Sequence, residues 1–215
     1  MPQFREYSRA EILADGFIHL IGICASITAV ALLLAFAAPS LSGASVTGLG
    51  IYSATLIAMF SCSAAYNLIP HKPWKPLLRR FDQAAIFLKI AGTYTPMVIL
   101  IGSAFSYGVL AVVWVAALAG AAAKLIFTPR KDRYSVPLYL ALGWASIVLV
   151  TPIVEVVPLV DAWLIFAGGL LYSAGVVFHL WDSLKFQNAI WHGFVLSAAF
   201  CHFAALSHAS FSVFA

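Results

Sequence analysis

Seven long apolar stretches constrain this sequence more than any other feature. They cover residues 16–38, 46–69, 84–104, 107–127, 136–153, 159–180 and 189–213, and a helix needs roughly 20 apolar residues to cross the hydrocarbon core of a membrane. Only 9% of the 215 residues are charged, whereas soluble domains carry about 25%. Spanning segments must be helices or closed barrels, and continuous apolar runs favour helices. The sequence therefore predicts one all-α membrane domain with seven transmembrane helices.

The basic residues predict how this bundle is oriented. If the seven spans alternate in direction, all twelve lysines and arginines fall on the side that holds the N-terminus. Short loops rich in lysine and arginine stay in the cytoplasm, so we predict a cytoplasmic N-terminus and a C-terminus outside. We expect Lys89, just inside the third span, to extend its side chain to the cytoplasmic surface. The loops are too short to build a basic surface for nucleic acid, and we expect no such partner.

Several polar side chains lie inside the spans or at their ends, where polar groups are costly and often functional. They are Glu11, Asp15 and His19 at the first span, Ser63 and Asn67 at the second, Asp82 and Gln83 at the third, and Asn188, His192 and His202 at the seventh. All except His202 lie near the predicted cytoplasmic ends of their helices. The sequence therefore predicts a polar pocket close to the cytoplasmic face.

Two structural explanations compete with a functional pocket. Polar groups at helix ends can simply meet water, and acidic groups at helix N-termini also favour the helix dipole. Ser63, Asn67 and His202 can instead form hydrogen bonds between helices without any chemistry. The motifs GxGxxG, P-loop, HExxH and GxSxG do not occur in the sequence, so nothing indicates a soluble type of enzyme.

Two segments carry a resemblance to a known family. The first is RRFDQAAI at 79–86, followed by AGTYTP at 91–96, and the second is NAIWH at 188–192, followed by CHF at 201–203. They resemble bacterial hemolysin III-like proteins, which belong with the progestin and adipoQ receptors, and the spacing of Glu11, Asp15 and His19 matches the start of their first helix. The resemblance covers nearly the whole chain. It implies a seven-helix protein of a bacterial cytoplasmic membrane with its N-terminus inside.

The resemblance also implies a zinc site, because the receptor branch holds zinc inside the bundle through three histidines. Transferred position by position, His192 matches one ligand, and Ser63 and Asp82 match residues that support the site and its water. The other two ligand positions hold Asn67 and Asn188, and an asparagine amide is a poor zinc ligand.

Catalytic zinc needs about three protein ligands, so the sequence predicts a weak site at best, with Asp82 and His19 in reach of His192. If zinc is absent, a hydrogen-bond network of Asn67, Asn188, the histidine, the aspartate and the serine is expected to hold the same helices together.

Three functions stay open on the sequence alone. We favour an inner-membrane protein that senses lipids or maintains the bilayer, with membrane lipids as its partners and no strong zinc site. The first alternative is an enzyme only if metal is bound: a zinc-dependent lipid amide hydrolase of the ceramidase kind, in which His192 binds metal while Asp82 and Ser63 are catalytic. The second alternative is a pore-forming or cytolytic protein.

Overall fold

The fold is helical throughout the part of the chain that the structure describes. In the computed structural model, that part comprises residues 7–127 and 135–214, and no β-strand occurs within it. Four basic residues used to predict the orientation lie outside these ranges, namely Arg5, Arg130, Lys131 and Arg133.

Eight helices build the seven spans, because the fifth span is made of two. The helices are α1 (Arg9–Ala37), α2 (Gly43–Leu68), α3 (Lys75–Ile101), α4 (Ala104–Ile126), α5 (Ser135–Trp144), α6 (Val150–Val156), α7 (Leu159–His179) and α8 (Gln187–Phe214). In the described ranges, seven segments are long and apolar enough to cross a membrane, and α5 and α6 together form one of them. The predicted all-α bundle of seven spans is confirmed, and the chain is an integral membrane protein.

Local sequence signals move several helix ends away from the limits of the apolar runs. α1 begins at Arg9 rather than at residue 16 because Ser8 and Glu11 form a capping box. The Ser8 N–H donates to Glu11 Oε2 over 2.9 Å, and the Glu11 N–H donates to Ser8 Oγ over 3.3 Å. α3 begins at Lys75 rather than at residue 84, and it ends at Ile101 because Gly102 takes a left-handed φ of 69°.

The fifth span is interrupted by a 3₁₀ turn over Ala145–Leu149. Pro152 explains the interruption, because a proline nitrogen carries no hydrogen and cannot bond the carbonyl of residue 148. A new helix, α6, therefore starts at Val150 and accommodates the proline in its first turn.

Six of the helices pack in a continuous series of neighbouring pairs, and the fifth span fits loosely between the two ends of this series. α4 packs on α3, α3 on α2, α2 on α1, α1 on α8, and α8 on α7. Contact between α2 and α3 is close, since a Cβ atom added at Gly92 would lie 2.1 Å from Thr55 Oγ1. The fifth span touches α3, α4 and α7 only sparsely. It closes the series loosely and leaves a cavity between itself, α2, α3, α7 and α8.

The apolar side chains divide between a packed interior and an outer surface. Two buried clusters hold the bundle together, one centred on α2 and α8 and the other between α3 and α4. Large apolar side chains such as Phe17, Val112 and Phe200 are exposed on the outside. Exposed apolar surface of this extent would drive a soluble protein to aggregate, and in a bilayer it meets lipid.

Candidate functional site

A connected cluster of polar side chains lies at the N-terminal end of the bundle, where α1 and α8 begin and α2 ends. Ser63 Oγ is at its centre, 3.1 Å from His19 Nε2 and 3.2 Å from His192 Nε2. Asp15 Oδ1 lies 2.6 Å from His192 Nδ1. We call this the inner cluster, and it comprises Asp15, His19, Ser63, Asn67, Asn188 and His192.

The two asparagines extend the inner cluster between α2 and α8. Asn188 Nδ2 donates to Asn67 Oδ1 over 2.9 Å. Asn67 Nδ2 in turn donates to the Ser63 carbonyl over 2.9 Å and approaches Ser63 Oγ at 3.3 Å. The asparagines therefore occupy the expected ligand positions as hydrogen-bonding groups that join two helices.

Helical spacing and helix packing together explain why these residues meet. Each helix contributes a pair four residues apart, and such a pair lies on one face of a helix. The pairs are Asp15 with His19, Ser63 with Asn67, and Asn188 with His192. Because α1 packs against both α2 and α8, the three faces converge. Asp15, His19, Ser63 and His192 are all buried there.

The neighbours of the two imidazoles determine where their hydrogens lie. His19 Nδ1 is 2.9 Å from the Asp15 carbonyl oxygen, which can only accept, so this nitrogen carries a hydrogen. His192 Nδ1 faces the Asp15 carboxyl group, to which it donates when Asp15 is ionised and from which it accepts when Asp15 is protonated. Both rings therefore direct Nε2 towards a single hydroxyl.

The Ser63 hydroxyl has one hydrogen to give and two nitrogens that need one. If it donates to one Nε2, the other Nε2 must carry a hydrogen itself, or its lone pair must bind a metal ion. The Asp15 carboxyl group suits both cases, because it can share a proton with His192 or pair with the ion. The inner cluster thus closes on itself through one shared proton, or holds a metal ion beside the Asp15 carboxylate.

The inner cluster contains residue types that commonly bind zinc. Asp15, His19 and His192 each offer one ligand atom, and these atoms all lie within 4.8 Å of one another. Imidazole and carboxylate are common zinc ligands, and three of them suit a catalytic site. The contact of Asp15 with His192 Nδ1 is also the outer contact that orients metal-binding histidines. This set adds Asp15 as an acid in contact with His192, and Asp82 lines the same cavity.

The other predicted pocket residues lie outside the inner cluster, and three of them, Asp82, Gln83 and His202, line the same cavity. Glu11 Oε1 accepts from the Phe186 N–H over 3.1 Å and ties the start of α1 to the loop before α8. Gln83 Oε1 accepts from Lys124 Nζ over 2.9 Å, which ties α3 to α4. Asp82 lines the same cavity as Ser63 and His192, and His202 lines it at a deeper level.

The cavity itself has a volume of about 1670 Å³. Small-molecule sites usually measure about 300–1000 Å³, so the cavity is large enough for a long hydrocarbon chain. Ser63, Asp82 and His192 line one part of it, and apolar side chains such as Met97, Ile153 and Ile165 line much of the remainder. The cavity therefore offers a polar end and an apolar body.

Lys89 departs most clearly from expectation. Its side chain does not reach the surface, because the residue is buried halfway along α3 and only 3% exposed. Lys89 Nζ donates to Thr93 Oγ1 over 2.8 Å and lies 3.9 Å from the centre of the Tyr52 ring. Lys89 thus contacts the Tyr52 ring of α2 and a hydroxyl of its own helix. Neither the burial of Lys89 nor the proximity of Tyr52 is visible in the sequence.

A comparison with known proteins identifies relatives of this chain. The family model described as haemolysin-III related matches residues 9–203, a range that includes Lys89 and the whole inner cluster. The chain belongs to the haemolysin-III related family. The resemblance seen at 79–86 and 188–192 is thereby confirmed.

Relatives of this family member occur in bacteria and in animals. It is 34% identical over 190 residues to a hemolysin-3 homolog of Bacillus subtilis (strain 168), covering 88% of this chain and 89% of the relative. It is 33% identical over 200 residues to Hemolysin-3 of Bacillus cereus, with 93% and 91% covered. It is 29% identical over 166 residues to the human monocyte to macrophage differentiation factor, with 73% and 67% covered.

Proposed function

We propose that this haemolysin-III related protein binds a membrane lipid inside its bundle and responds to the lipid content of a bacterial cytoplasmic membrane, with its N-terminus in the cytoplasm. The observation that carries the proposal is the cavity of about 1670 Å³ with polar groups at one end. An acyl chain suits its apolar body, and the polar part of a lipid suits the wall formed by Ser63, Asp82 and His192.

The fifth span provides the route for a lipid to enter from the side. It contacts its neighbours sparsely, and its 3₁₀ turn divides it in the middle. Trp144 Nε1 donates to Ser173 Oγ over 2.9 Å and links the fifth span to α7 at this level. A lipid that separates this span from α7 gives up little packing, which favours exchange with the bilayer.

Two matched glycine substitutions test the proposal. Gly143 lines the cavity, whereas Gly108 is exposed on the outer face of α4. A Cβ atom added at either position meets nothing within 4 Å. We expect Gly143→Trp to fill the cavity and abolish cross-linking of the protein to a phospholipid with a photoreactive acyl chain. Gly108→Trp should leave cross-linking to cavity residues such as Ile165 unchanged. Equal cross-linking at cavity residues in both variants would overturn the proposal.

A second candidate function is metal-dependent hydrolysis of a lipid amide. The observation that favours it is the convergence of Asp15, His19 and His192. When bound, zinc supplies a Lewis acid and a water activated at neutral pH. The residues of this chain would hold the ion, orient His192 through Asp15, and place the polar group of a lipid beside Ser63.

Metal content distinguishes this candidate from lipid binding alone. The protein is purified without chelator or His-tag, and its zinc is measured by elemental mass spectrometry. Under this candidate we expect about one zinc per chain, lost in His192→Ala and retained in Asn188→Ala, and a chelator-sensitive release of fatty acid from ceramide. Zinc at background in the unaltered protein removes the candidate and leaves the lipid-binding proposal standing.

A cytolytic function rests only on the names of the two Bacillus relatives. Conductance across liposomes that contain the protein, blocked in Gly143→Trp, is the result that would support it.

A further inference from the structure

A buried ammonium group without an anionic partner lies in the middle of the bundle. Lys89 is near the centre of the third span, which runs over Lys72–Ile101. Its contacts among the described residues are the Thr93 hydroxyl and the face of the Tyr52 ring, neither of which is charged. Ionisable side chains inside a membrane protein usually pair with an opposite charge or line a functional pathway. Lys89 has no such pair in the described chain, and it lines the cavity.

Two further polar atoms at this level lack a partner. The Tyr172 hydroxyl and His202 Nδ1 are buried, and neither makes a hydrogen bond within residues 7–127 and 135–214. The two rings are 5.7 Å apart, and both residues line the same cavity as Lys89. His202 Nε2 donates to the Ile165 carbonyl over 3.0 Å, so its Nδ1 is left as an acceptor. Lys89 is close enough to His202 for the two groups to interact electrostatically.

These atoms come from three different helices and face one space. Lys89 belongs to α3, Tyr172 to α7 and His202 to α8. Buried polar groups are almost always hydrogen-bonded in native proteins, and exceptions call for a missing partner. The cation–π contact with Tyr52 offsets part of the cost of burying Lys89. It leaves the other ammonium hydrogens, the Tyr172 hydroxyl and His202 Nδ1 unsatisfied.

We propose that Lys89, Tyr172 and His202 form an anion subsite that binds the carboxylate of a long-chain fatty acid. Lys89 and Tyr172 donate to the carboxylate oxygens, and His202 Nδ1 accepts from a water that bridges to the same head group. The acyl chain extends along the apolar walls that include Met97, Ile153 and Ile165. This subsite is separate from the inner cluster, and it rests on the proposed binding of lipid in the cavity.

Charge decides between a carboxylate and a phosphate. A carboxylate carries one negative charge, which a single lysine neutralises, whereas a phosphate monoester carries up to about two at neutral pH. A second negative charge would remain unpaired in an apolar cavity, which is unfavourable. A fatty acid is therefore preferred over an alkyl phosphate of equal chain length, and both should be preferred over a neutral alcohol.

Binding of three probes to the full chain in detergent tests the proposal. The probes are palmitic acid, hexadecyl phosphate and hexadecanol, and the measurement is isothermal titration calorimetry. We expect palmitate to bind at least about tenfold more tightly than hexadecanol, the gain expected from a hydrogen bond to a charged group. Lys89→Met should remove this preference and keep hexadecanol binding, and Lys89→Arg should retain most of it. Lys185→Met, which removes an exposed lysine, serves as the matched control and should behave like the unaltered protein.

The outcomes distinguish a failure of the proposed subsite from a failure of lipid binding in the cavity. If Lys89→Met keeps the full preference for palmitate, the subsite is wrong although lipid binding stands. If hexadecyl phosphate binds most tightly, the carboxylate assignment is wrong. If no probe binds the unaltered protein, the proposed function fails together with the subsite. Should Lys89→Met not fold, Tyr172→Phe replaces it, with an expected loss of several-fold for palmitate and none for hexadecanol, and an unchanged palmitate affinity would overturn the proposal.

Discussion

The inner cluster and the anion subsite lie in one bundle, and they differ in how completely their polar atoms are paired. In the inner cluster, no buried side-chain nitrogen or oxygen of the six residues lacks a hydrogen-bond partner. At the level of Lys89, the Tyr172 hydroxyl and His202 Nδ1 have none. A fully satisfied network holds helices together, whereas unsatisfied groups are costly to bury and indicate a missing ligand. The comparison separates a cluster whose polar groups pair with one another from a group of residues whose polar atoms, in our proposal, are paired by a ligand.

Removal of Asp15 should produce the largest loss of stability, because His192 Nδ1 is then buried without the carboxyl group that it contacts over 2.6 Å. We expect Asp15→Ala to lower the free energy of unfolding of metal-free protein by about 3 kcal/mol, the upper end of the usual cost of leaving a buried polar group unsatisfied. Glu11→Ala, which removes a carboxylate from the cap of the same helix, should cost only about 1 kcal/mol. Titration with denaturing detergent measures both. Equal losses would mean that the contact between Asp15 and His192 stabilises the fold no more than a helix cap does.

Removal of the Lys89 ammonium should change the stability of the protein in the opposite direction. Without ligand, Lys89→Met replaces an unpaired buried cation by an apolar side chain of similar length. Such replacements are often neutral or stabilising by about 1–4 kcal/mol. We therefore expect a melting temperature equal to or above that of the unaltered protein, measured by fluorescence in detergent. A clear decrease would mean that the Tyr52 contact makes Lys89 a structural residue.

Two tyrosines provide a matched pair for the same contrast. The Tyr94 hydroxyl donates to the Leu142 carbonyl over 2.8 Å, whereas the Tyr172 hydroxyl has no partner. We expect Tyr94→Phe to cost about 1 kcal/mol and Tyr172→Phe to change stability by less than about 0.5 kcal/mol. The same melting assay measures both. If Tyr172→Phe costs more than Tyr94→Phe, the Tyr172 hydroxyl has a structural partner.

The smallest effect is expected between Asn67 and Asn188. Hydrogen bonds between membrane helices contribute about 0.6 kcal/mol on average, so a double-mutant cycle with Asn67→Ala and Asn188→Ala should give a coupling of this size. Metal content should be the same in both variants as in the unaltered protein. A coupling near zero, with both variants fully stable, would contradict the role of the asparagines as a link between α2 and α8.

The spans were predictable because hydrophobicity along the chain reports directly on the environment of each segment. The break in the fifth span was not, although the run at 136–153 is the shortest of the seven. A proline near the end of such a run can end a helix or lie in the first turn of a new one, and the structure uses the second option. The sequence pattern alone cannot separate these options, because in both of them the proline nitrogen needs no hydrogen-bond acceptor.

The site was predictable only in part, for a similar reason. The spacing of four residues showed which side chains share a helix face, and all three pairs of the inner cluster could be read from it. Which helices touch was not readable, so the direct contact between Asp15 and His192 could not be predicted. Lys89 was misplaced because sequence position gives depth in the membrane and says nothing about which side of the helix faces a neighbour. Nothing in the sequence singled out Tyr172.

The inner cluster and the anion subsite lie at two different depths, and their separation sets a minimum length for a ligand that contacts both. Ten residues of α8 separate His192 from His202, which corresponds to about 15 Å along a helix. That is about half the thickness of the hydrocarbon core, or the depth of one leaflet. A molecule that touches both levels must be at least this long, and a shorter one occupies a level according to the charge of its head group. Under the proposed function, the bundle therefore selects amphiphiles by their length and by the charge of their head group together.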